Sequence, residues 1–369
     1  MTASRVGTFF LPGPTEVRPE ILEALVRPVI SHRGPAIVEL MERLMPGLRR
    51  LFRTRRPVYV STSSATGLME AAIRNAVARR VLCLVCGAFS ERFYDIAVAC
   101  GKEAQRLDVE WGASNELGTA AEVASAGGFD AVTVVHSETS TGVLNPVAEI
   151  AAAVREAAPE TLILVDCVSS LAGAPVETDG WSLDFALTGA QKALALPPGL
   201  AFGVASERAL ARSRKVPDRG LYFSFEAFEE AAQKRQTTNT PAISLLYALD
   251  AQLRRIEEEG LEARWARHRA MAERTWGWIE EVRDRYDLDL RVLAPEGRRS
   301  PTVTCVMLPE GMSGKALAAA VGARGYTIGT GYGPLKDRSF RIGHMGDHTL
   351  DELESLLGVL EEVLAGARD

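Results

Sequence analysis

What this 369-residue chain lacks narrows its function before any motif is read. Cysteine is scarce and odd in number: Cys83, Cys86, Cys100, Cys167 and Cys305. A long chain with so few cysteines does not read as a disulfide scaffold, and a reducing compartment is expected. Cys83 and Cys86 have CxxC spacing, but they fall inside the apolar run 81–86, where packing in a buried strand is expected rather than redox or metal chemistry. No run of about 18 uncharged apolar residues occurs, which a membrane helix would need. Asp166 and Lys192 interrupt the two best candidates. Positive charge is not in excess either, with 42 Lys and Arg against 48 Asp and Glu and a net charge of −6. A dedicated nucleic-acid binder needs a basic face, so nucleic acid is not expected as a partner. The first 14 residues are too poor in apolar positions for a secretory signal. A soluble, cytoplasmic protein without a membrane partner is expected. There is no internal repeat, low-complexity tract or linker.

What is present is a regular alternation. Residues 57–61, 81–85, 131–136, 162–165 and 185–188 are short, apolar and mostly β-branched, as buried strands are. Residues 69–78, 91–100 and 147–158 carry apolar positions at helical spacing between them. Strand–helix alternation of this kind predicts an α/β fold, a mainly parallel sheet covered by helices on both faces. Beyond residue 250 the pattern changes. Residues 251–286 read as a charge-rich helical stretch broken near Gly260. Then follow a strand (302–308), a helix (314–324), a strand (338–342) and a last helix (349–364), expected to be capped by Asp347 or His348. This is a smaller α+β domain. The Arg-rich segment 48–56 reads as a solvated loop face.

Parallel sheets place their chemistry at the carboxyl ends of their strands, and three such ends stand out. The strand 57–61 runs into Thr62-Ser63-Ser64-Ala65-Thr66-Gly67 and a helix, where free backbone N–H groups and hydroxyls can hold an anion such as phosphate, or merely cap the helix. The strand 162–165 ends at Asp166, a carboxylate that costs desolvation unless a cation meets it. The strand 185–188 leads to Lys192 in an apolar setting, which lowers a lysine pKa and makes it a Schiff-base nucleophile. Asp166 and Lys192 are 26 residues apart, about one crossover, so they can sit on neighbouring strands. A plain Asp–Lys ion pair would explain those two alone. Adding the phosphate cradle points to one ligand with an aldehyde, a protonatable ring nitrogen and a phosphate, which pyridoxal 5′-phosphate (PLP) supplies.

With these residues in view, the sequence resembles the class V aminotransferases among the fold-type I PLP enzymes. It is most similar to the alanine–glyoxylate, serine–glyoxylate and serine–pyruvate branch. Matching segments keep their order: Gly13-Pro14-Thr15, Ser31-His32-Arg33, Ser63-Ser64-Ala65-Thr66-Gly67, His136-Ser137-Glu138-Thr139-Ser140-Thr141-Gly142, Val165-Asp166-Cys167-Val168-Ser169-Ser170, Thr188-Gly189-Ala190-Gln191-Lys192, Thr237-Thr238-Asn239-Thr240-Pro241 and Phe340-Arg341-Ile342-Gly343. The resemblance implies a large domain with a mainly parallel seven-stranded sheet between helices (16–250), an N-terminal arm (1–15) and a small C-terminal α+β domain (251–369). It implies that Lys192 bonds the cofactor and shuttles a proton, and that Asp166 holds the pyridine nitrogen protonated. Ser64, Ala65, Thr66 and Gln191 would hold the phosphate. Phe89 would stack on one face of the ring, with Val168 on the other and Thr139 or Ser140 near its hydroxyl or the substrate. Arg341 would clamp the substrate carboxylate, with Thr15 and Arg33 also near the substrate. Thr238, Asn239 and Thr240 resemble a segment that reaches the phosphate of the other subunit, which implies a homodimer with shared active sites.

The implied activity is ping-pong transfer of the amino group of a small amino acid (serine or alanine) to a 2-oxo acid (glyoxylate or pyruvate). His32-Arg33 also resembles phosphoserine aminotransferases, and 2-aminoethylphosphonate is a further alternative. A lyase of the cysteine desulfurase type would need a cysteine on the loop before Arg341, and residues 325–340 contain none. Gly329-Thr330-Gly331-Tyr332-Gly333 is read as a turn near the cofactor mouth, because no βαβ unit surrounds it. His344 and His348 are four apart but precede their helix, so no metal is expected there. His136 ends a strand near the site and is read as structural at least as readily as catalytic.

Overall fold

Seven strands build the larger sheet, in the order Tyr59–Ser61, Ala201–Ala205, Phe185–Gly189, Leu162–Asp166, Ala131–Val135, Arg80–Val85 and Glu103–Asp108. The computed structural model describes residues 6–366, so residues 1–5 of the expected arm lie outside it. Ala201–Ala205 runs antiparallel to both neighbours; the other pairings in the sheet are parallel. The central strands are buried throughout and mostly apolar because both faces are covered. Ile163 and Val165 enter one core, and Leu162 and Leu164 enter the other. Alternation of side chains across a strand gives that division. Burial of each such side chain contributes about 1.5–3 kcal/mol.

The smaller sheet has the order Phe9–Phe10, Thr327–Thr330, Ser339–Ile342, Thr304–Met307, Arg291–Val292. Phe9–Phe10 pairs parallel with Thr327 and Ile328, so the beginning of the described chain is a strand of this sheet. Its core gathers Phe10, Trp278, Val306, Phe340 and Leu357. The predicted helical stretch 251–286 is two helices, Ile243–Glu259 and Leu261–Tyr286, divided at Gly260 with φ +82°.

Three expectations need correction. The last helix, Leu350–Gly366, is capped by neither Asp347 nor His348. The Thr349 hydroxyl accepts from Glu352 N–H (3.3 Å), and Glu352 Oε2 accepts from Thr349 N–H (2.9 Å), a reciprocal capping box. Asp347 instead pairs with the fully buried Arg264 at 2.8 Å, and His348 stacks on Phe10. Second, residues 48–52 of the Arg-rich segment belong to helix Pro35–Phe52, and Arg50, Arg53 and Arg56 pair with Glu257, Glu262 and Glu229. The segment is thus half helix rather than loop, while Arg49, Arg50 and Arg55 stay exposed to solvent as expected. Third, the helix expected from residue 69 starts at Ala65, directly after the small-residue run, and the one expected from 91 starts at Ala88. Cys83 and Cys86 are buried free thiols, both pushed up by burial, Cys83 to about 11 and Cys86 to about 12. Among the described residues, no helix is long and apolar enough to cross a membrane.

Candidate active site

The carboxyl ends of five strands of the larger sheet and one strand of the smaller sheet supply the groups that the sequence singles out. Asp166 is the last residue of Leu162–Asp166 and is 3% exposed. Its Oδ1 accepts from Val168 N–H at 2.7 Å, and no cation lies within ion-pair distance among the described residues. Burial pushes its carboxyl up to about 7. Lys192 follows Phe185–Gly189 by three residues and is 6% exposed. Burial, aided by Arg341, lowers its amine to about 7. Its Nζ donates to Pro12 O and lies 5.6 Å from the Phe89 ring centre. A cation brought against Asp166 would pull its carboxyl back down, because opposite charge favours the ionised form.

Arg341 enters from the smaller sheet, on Ser339–Ile342. Its Nε donates to Thr330 O (2.9 Å) and its Nη1 to Thr139 O (3.1 Å), which aims the remaining N–H groups without consuming the charge. Its guanidinium sits 5.5 Å from the ring of Tyr332, which is 5.7 Å from the Phe89 ring. The segment 329–333 is only in part the expected turn: Gly329 and Thr330 end the strand Thr327–Thr330, paired with Arg341 and Phe340, and the chain turns after them, from Gly331 into the short 3-10 helix Gly333–Leu335.

The anion cradle is present in outline. Ser64 is the N-cap of the 12-residue helix Ala65–Ala76, with extended backbone (ψ 163°) and no side-chain cap bond, so the first N–H groups stay available. A Cβ added to Gly189 would lie 2.7 Å from Gln191 Oε1 and 3.2 Å from Ala65 Cβ. The Gln191 amide and the helix start therefore share one spot, and Gly189 keeps it open. Ser64 and Thr66 are exposed.

Other predicted residues divide. Ser140 Oγ accepts from Ala88 N–H (3.0 Å), at the start of the helix bearing Phe89, and donates to Glu138 (2.6 Å). Thr139 Oγ1 and Ser169 Oγ are 2.5 Å apart. Thr15 donates its N–H to Gln191 O (3.0 Å) and its hydroxyl to Met345 O (3.3 Å), so its side chain is already engaged. Arg33 does not join Lys192: it donates to Gln236 Oε1, Thr237 O and Thr238 O at 2.9–3.3 Å. It thereby holds the segment that includes Thr238, Asn239 and Thr240, the last two of which are exposed. His136 packs edge-on against Trp181 (5.4 Å), its Nδ1 has no hydrogen-bond partner among the described residues, and burial lowers its imidazole to about 4.

Two residues escaped the sequence reading. Glu138 is fully buried and accepts from the N–H groups of Phe89, Ser90 and Ser140 and from the Ser140 hydroxyl. Its signal was available: it is the one acidic residue in the buried stretch 131–147. Arg92, one turn after Phe89, lies over that ring (4.8 Å) and donates to the Tyr332 hydroxyl at 3.4 Å. Nothing in its local sequence distinguished it from surface arginines.

A parallel sheet covered on both faces, carrying a buried lysine, a buried unpaired carboxylate and an open helix start at one edge, is the architecture of the fold-type I PLP transferases. The model of the family "Aminotransferase class-V" matches residues 31–334, and the chain belongs to that family. An uncharacterized aminotransferase of Methanocaldococcus jannaschii is 38% identical over 96% of this chain and 91% of its own length. The serine–glyoxylate aminotransferase of Methylorubrum extorquens is 32% identical, covering 95% of this chain and 88% of its own. The crystal structure of a subgroup IV aspartate aminotransferase from Thermus thermophilus superposes with a TM-score of 0.88 at 36% identity, covering 97% and 99% of the two chains. The protein is a transaminase.

Proposed function

We propose that this transaminase uses PLP to move the amino group of serine or alanine to glyoxylate or pyruvate. The observation that carries the reading is the convergence of three buried groups without ion-pair partners among the described residues: Lys192, Asp166 and Arg341. The residues fit the cofactor. A carboxylate buried without a cation suits a protonated ring nitrogen, and open N–H groups at a helix start suit a phosphate. Ser64, Ala65, Thr66 and Gln191 would hold that phosphate, with Thr238, Asn239 and Thr240 reaching the site of a partner subunit in a cytoplasmic homodimer. Phe89 and Val168 would bracket the ring, with Ser140 near its edge. Bound there, PLP supplies an aldehyde carbon and a ring that accepts an electron pair.

The chain's own groups then have defined tasks. Lys192, lowered to about 7, is largely neutral just above that pH, so its Nζ can take a proton from a substrate α-carbon and return it nearby. Arg341 orients the substrate through its carboxylate, because its fork matches two oxygens at once. Asp166 keeps a proton at the ring nitrogen. Thr15 positions Gln191 through the backbone bond, and Arg33 orders the 236–238 segment. Because the Arg33 donors are directed to carbonyls, the phosphoserine alternative draws no support from His32-Arg33. The division that suits these tasks is an arm (1–15), a cofactor domain (16–250) and a smaller domain (251–369), with a sheet in each of the latter two.

The test is a half-reaction panel on protein reconstituted with PLP. Serine or alanine should bleach the yellow cofactor absorbance, glyoxylate or pyruvate should restore it, and Lys192→Ala should abolish both changes. Full turnover by Lys192→Ala would overturn the reading.

A further inference from the structure

Three cations surround the pocket mouth, and the proposed function employs two of them. Lys192, Arg92 and Arg341 are linked through two aromatic rings: Lys192 and Arg92 lie 5.6 and 4.8 Å from the Phe89 ring, and Arg341 lies 5.5 Å from the Tyr332 ring. The Arg92 guanidinium closes the circuit through the Tyr332 hydroxyl at 3.4 Å. The carboxylates near this cluster have other work. Glu138 is consumed by the start of helix Ala88–Ala99 and by Ser140, and Asp166 is reserved for the ring nitrogen.

Arg92 is set apart from the surface arginines around it. On the same helix Glu91 is paired with Arg106 (3.0 Å), which also holds Asp108 (2.6 Å). Arg92 has no carboxylate partner among the described residues, and its one hydrogen bond is a long one to a neutral phenol. A guanidinium has five donors, so most of its capacity is unspent. Stacking on Phe89 keeps it half-buried at the mouth instead of letting it extend into water. A monocarboxylic amino acid clamped by Arg341 would leave that charge unanswered.

We infer that Arg92, with the Tyr332 hydroxyl, binds a second carboxylate, so that the site takes four- or five-carbon dicarboxylic amino acids as donors besides small ones. The inference rests on the reading of the site as a transaminase pocket in which Arg341 holds the α-carboxylate. Arg92 touches the substrate side chain and sets specificity; it takes no part in proton transfer.

The test separates binding from turnover. Succinate and propionate, which have no amino group to transfer, are titrated calorimetrically into the PLP-loaded protein. Succinate should bind more tightly than propionate. Arg92→Gln should lower the ratio of the two affinities about tenfold or more, the worth of one charge-assisted pair. Arg92→Lys, which keeps the charge but not the fork, should recover part of it, and Tyr332→Phe should lower it less. Equal binding of the two acids, or an Arg92→Gln variant that weakens both in parallel, would overturn the inference, because a packing role leaves the ratio fixed. In the spectral half-reaction, aspartate or glutamate should bleach the cofactor faster than alanine. If alanine and serine react while neither acidic donor does, the inference fails and the transaminase reading stands. If no donor reacts, that reading fails, and the affinity ratio still decides the role of Arg92.

Discussion

The nucleophilicity of Lys192 can be tested without cofactor or substrate. In cofactor-free protein its amine is lowered to about 7, chiefly by burial and secondly by Arg341. An ordinary lysine near 10.4 is only about 0.4% neutral at pH 8, whereas one near 7 is about 90% neutral, a gain of roughly 200-fold in the reactive form. Intrinsic nucleophilicity falls with basicity, so the rate gain is smaller than the population gain. The position of the pH midpoint is therefore the sharper measure. The assay is labelling by a small aldehyde with a mild reductant across pH 5–11, with the site of modification read by peptide mass spectrometry. Labelling at Lys192 should rise with a midpoint near 7. The sign can be checked with two variants. Removing the nearby positive charge in Arg341→Gln should move the midpoint up, and removing the negative charge in Asp166→Asn should move it down, since Asp166 raises the Lys192 value. A Lys192 midpoint near 10, or variant shifts of the opposite sign, would refute the account of burial and like charge.

Three other outcomes follow from specific contacts. Arg341→Lys keeps a charge but loses the fork, so KM for alanine should rise about tenfold or more with a smaller change in kcat, measured by steady-state kinetics. Glu138→Gln sets an amide NH2 against N–H groups on at least one side, because both carboxyl oxygens accept from backbone N–H. It should lose about 3 kcal/mol in denaturant unfolding and weaken cofactor retention through Phe89. Gly13→Ala would drive its Cβ into Lys192 Cε and Nζ at a residue with φ +104°, so it should lose cofactor absorbance while retaining its far-UV circular dichroism.

The strands that were legible are those buried on both faces. Leu162–Asp166 and Phe185–Gly189 are continuous apolar runs, and the charged residues that end or follow them were conspicuous for the same reason. Glu103–Asp108 escaped because it is the sheet edge, where half the side chains are charged and face water. Ala201–Ala205 is as long and as buried as Leu162–Asp166 and Phe185–Gly189, but its two alanines and Gly203 leave it fewer bulky side chains; Gly203 leaves room for Phe185, since a Cβ there would lie 2.8 Å from Phe185 Cζ. Lys192 and Asp166 announced themselves by the cost of burying charge. Glu138 and Arg92 could not do so as readily, because each gains its meaning from a distant partner: Phe89 is 49 residues from Glu138, and Tyr332 is 240 from Arg92. Local patterning carries information about burial, and pairing across such separations is set only by the folded chain.

That non-local dependence is strongest in residues 9–15. Phe10 O accepts from Gly343 N–H (2.8 Å), two residues beyond Arg341; Pro12 O accepts from Lys192 Nζ; Thr15 N–H donates to Gln191 O (3.0 Å). One short segment therefore registers the lysine of the larger sheet against the arginine of the smaller one. The fit is tight on both sides, since a Cβ at Gly343 would lie 2.6 Å from Pro12 Cα, as one at Gly13 would strike Lys192. The relative placement of the proton-transfer group and the carboxylate clamp is consequently a property of this segment as much as of either sheet. Catalysis that depends on holding a substrate within a fraction of an ångström is sensitive to such a connection. Changes in residues 9–15 should thus disturb substrate binding and proton transfer together, whereas Arg341→Lys, which keeps the charge that Lys192 feels, should act mainly on binding.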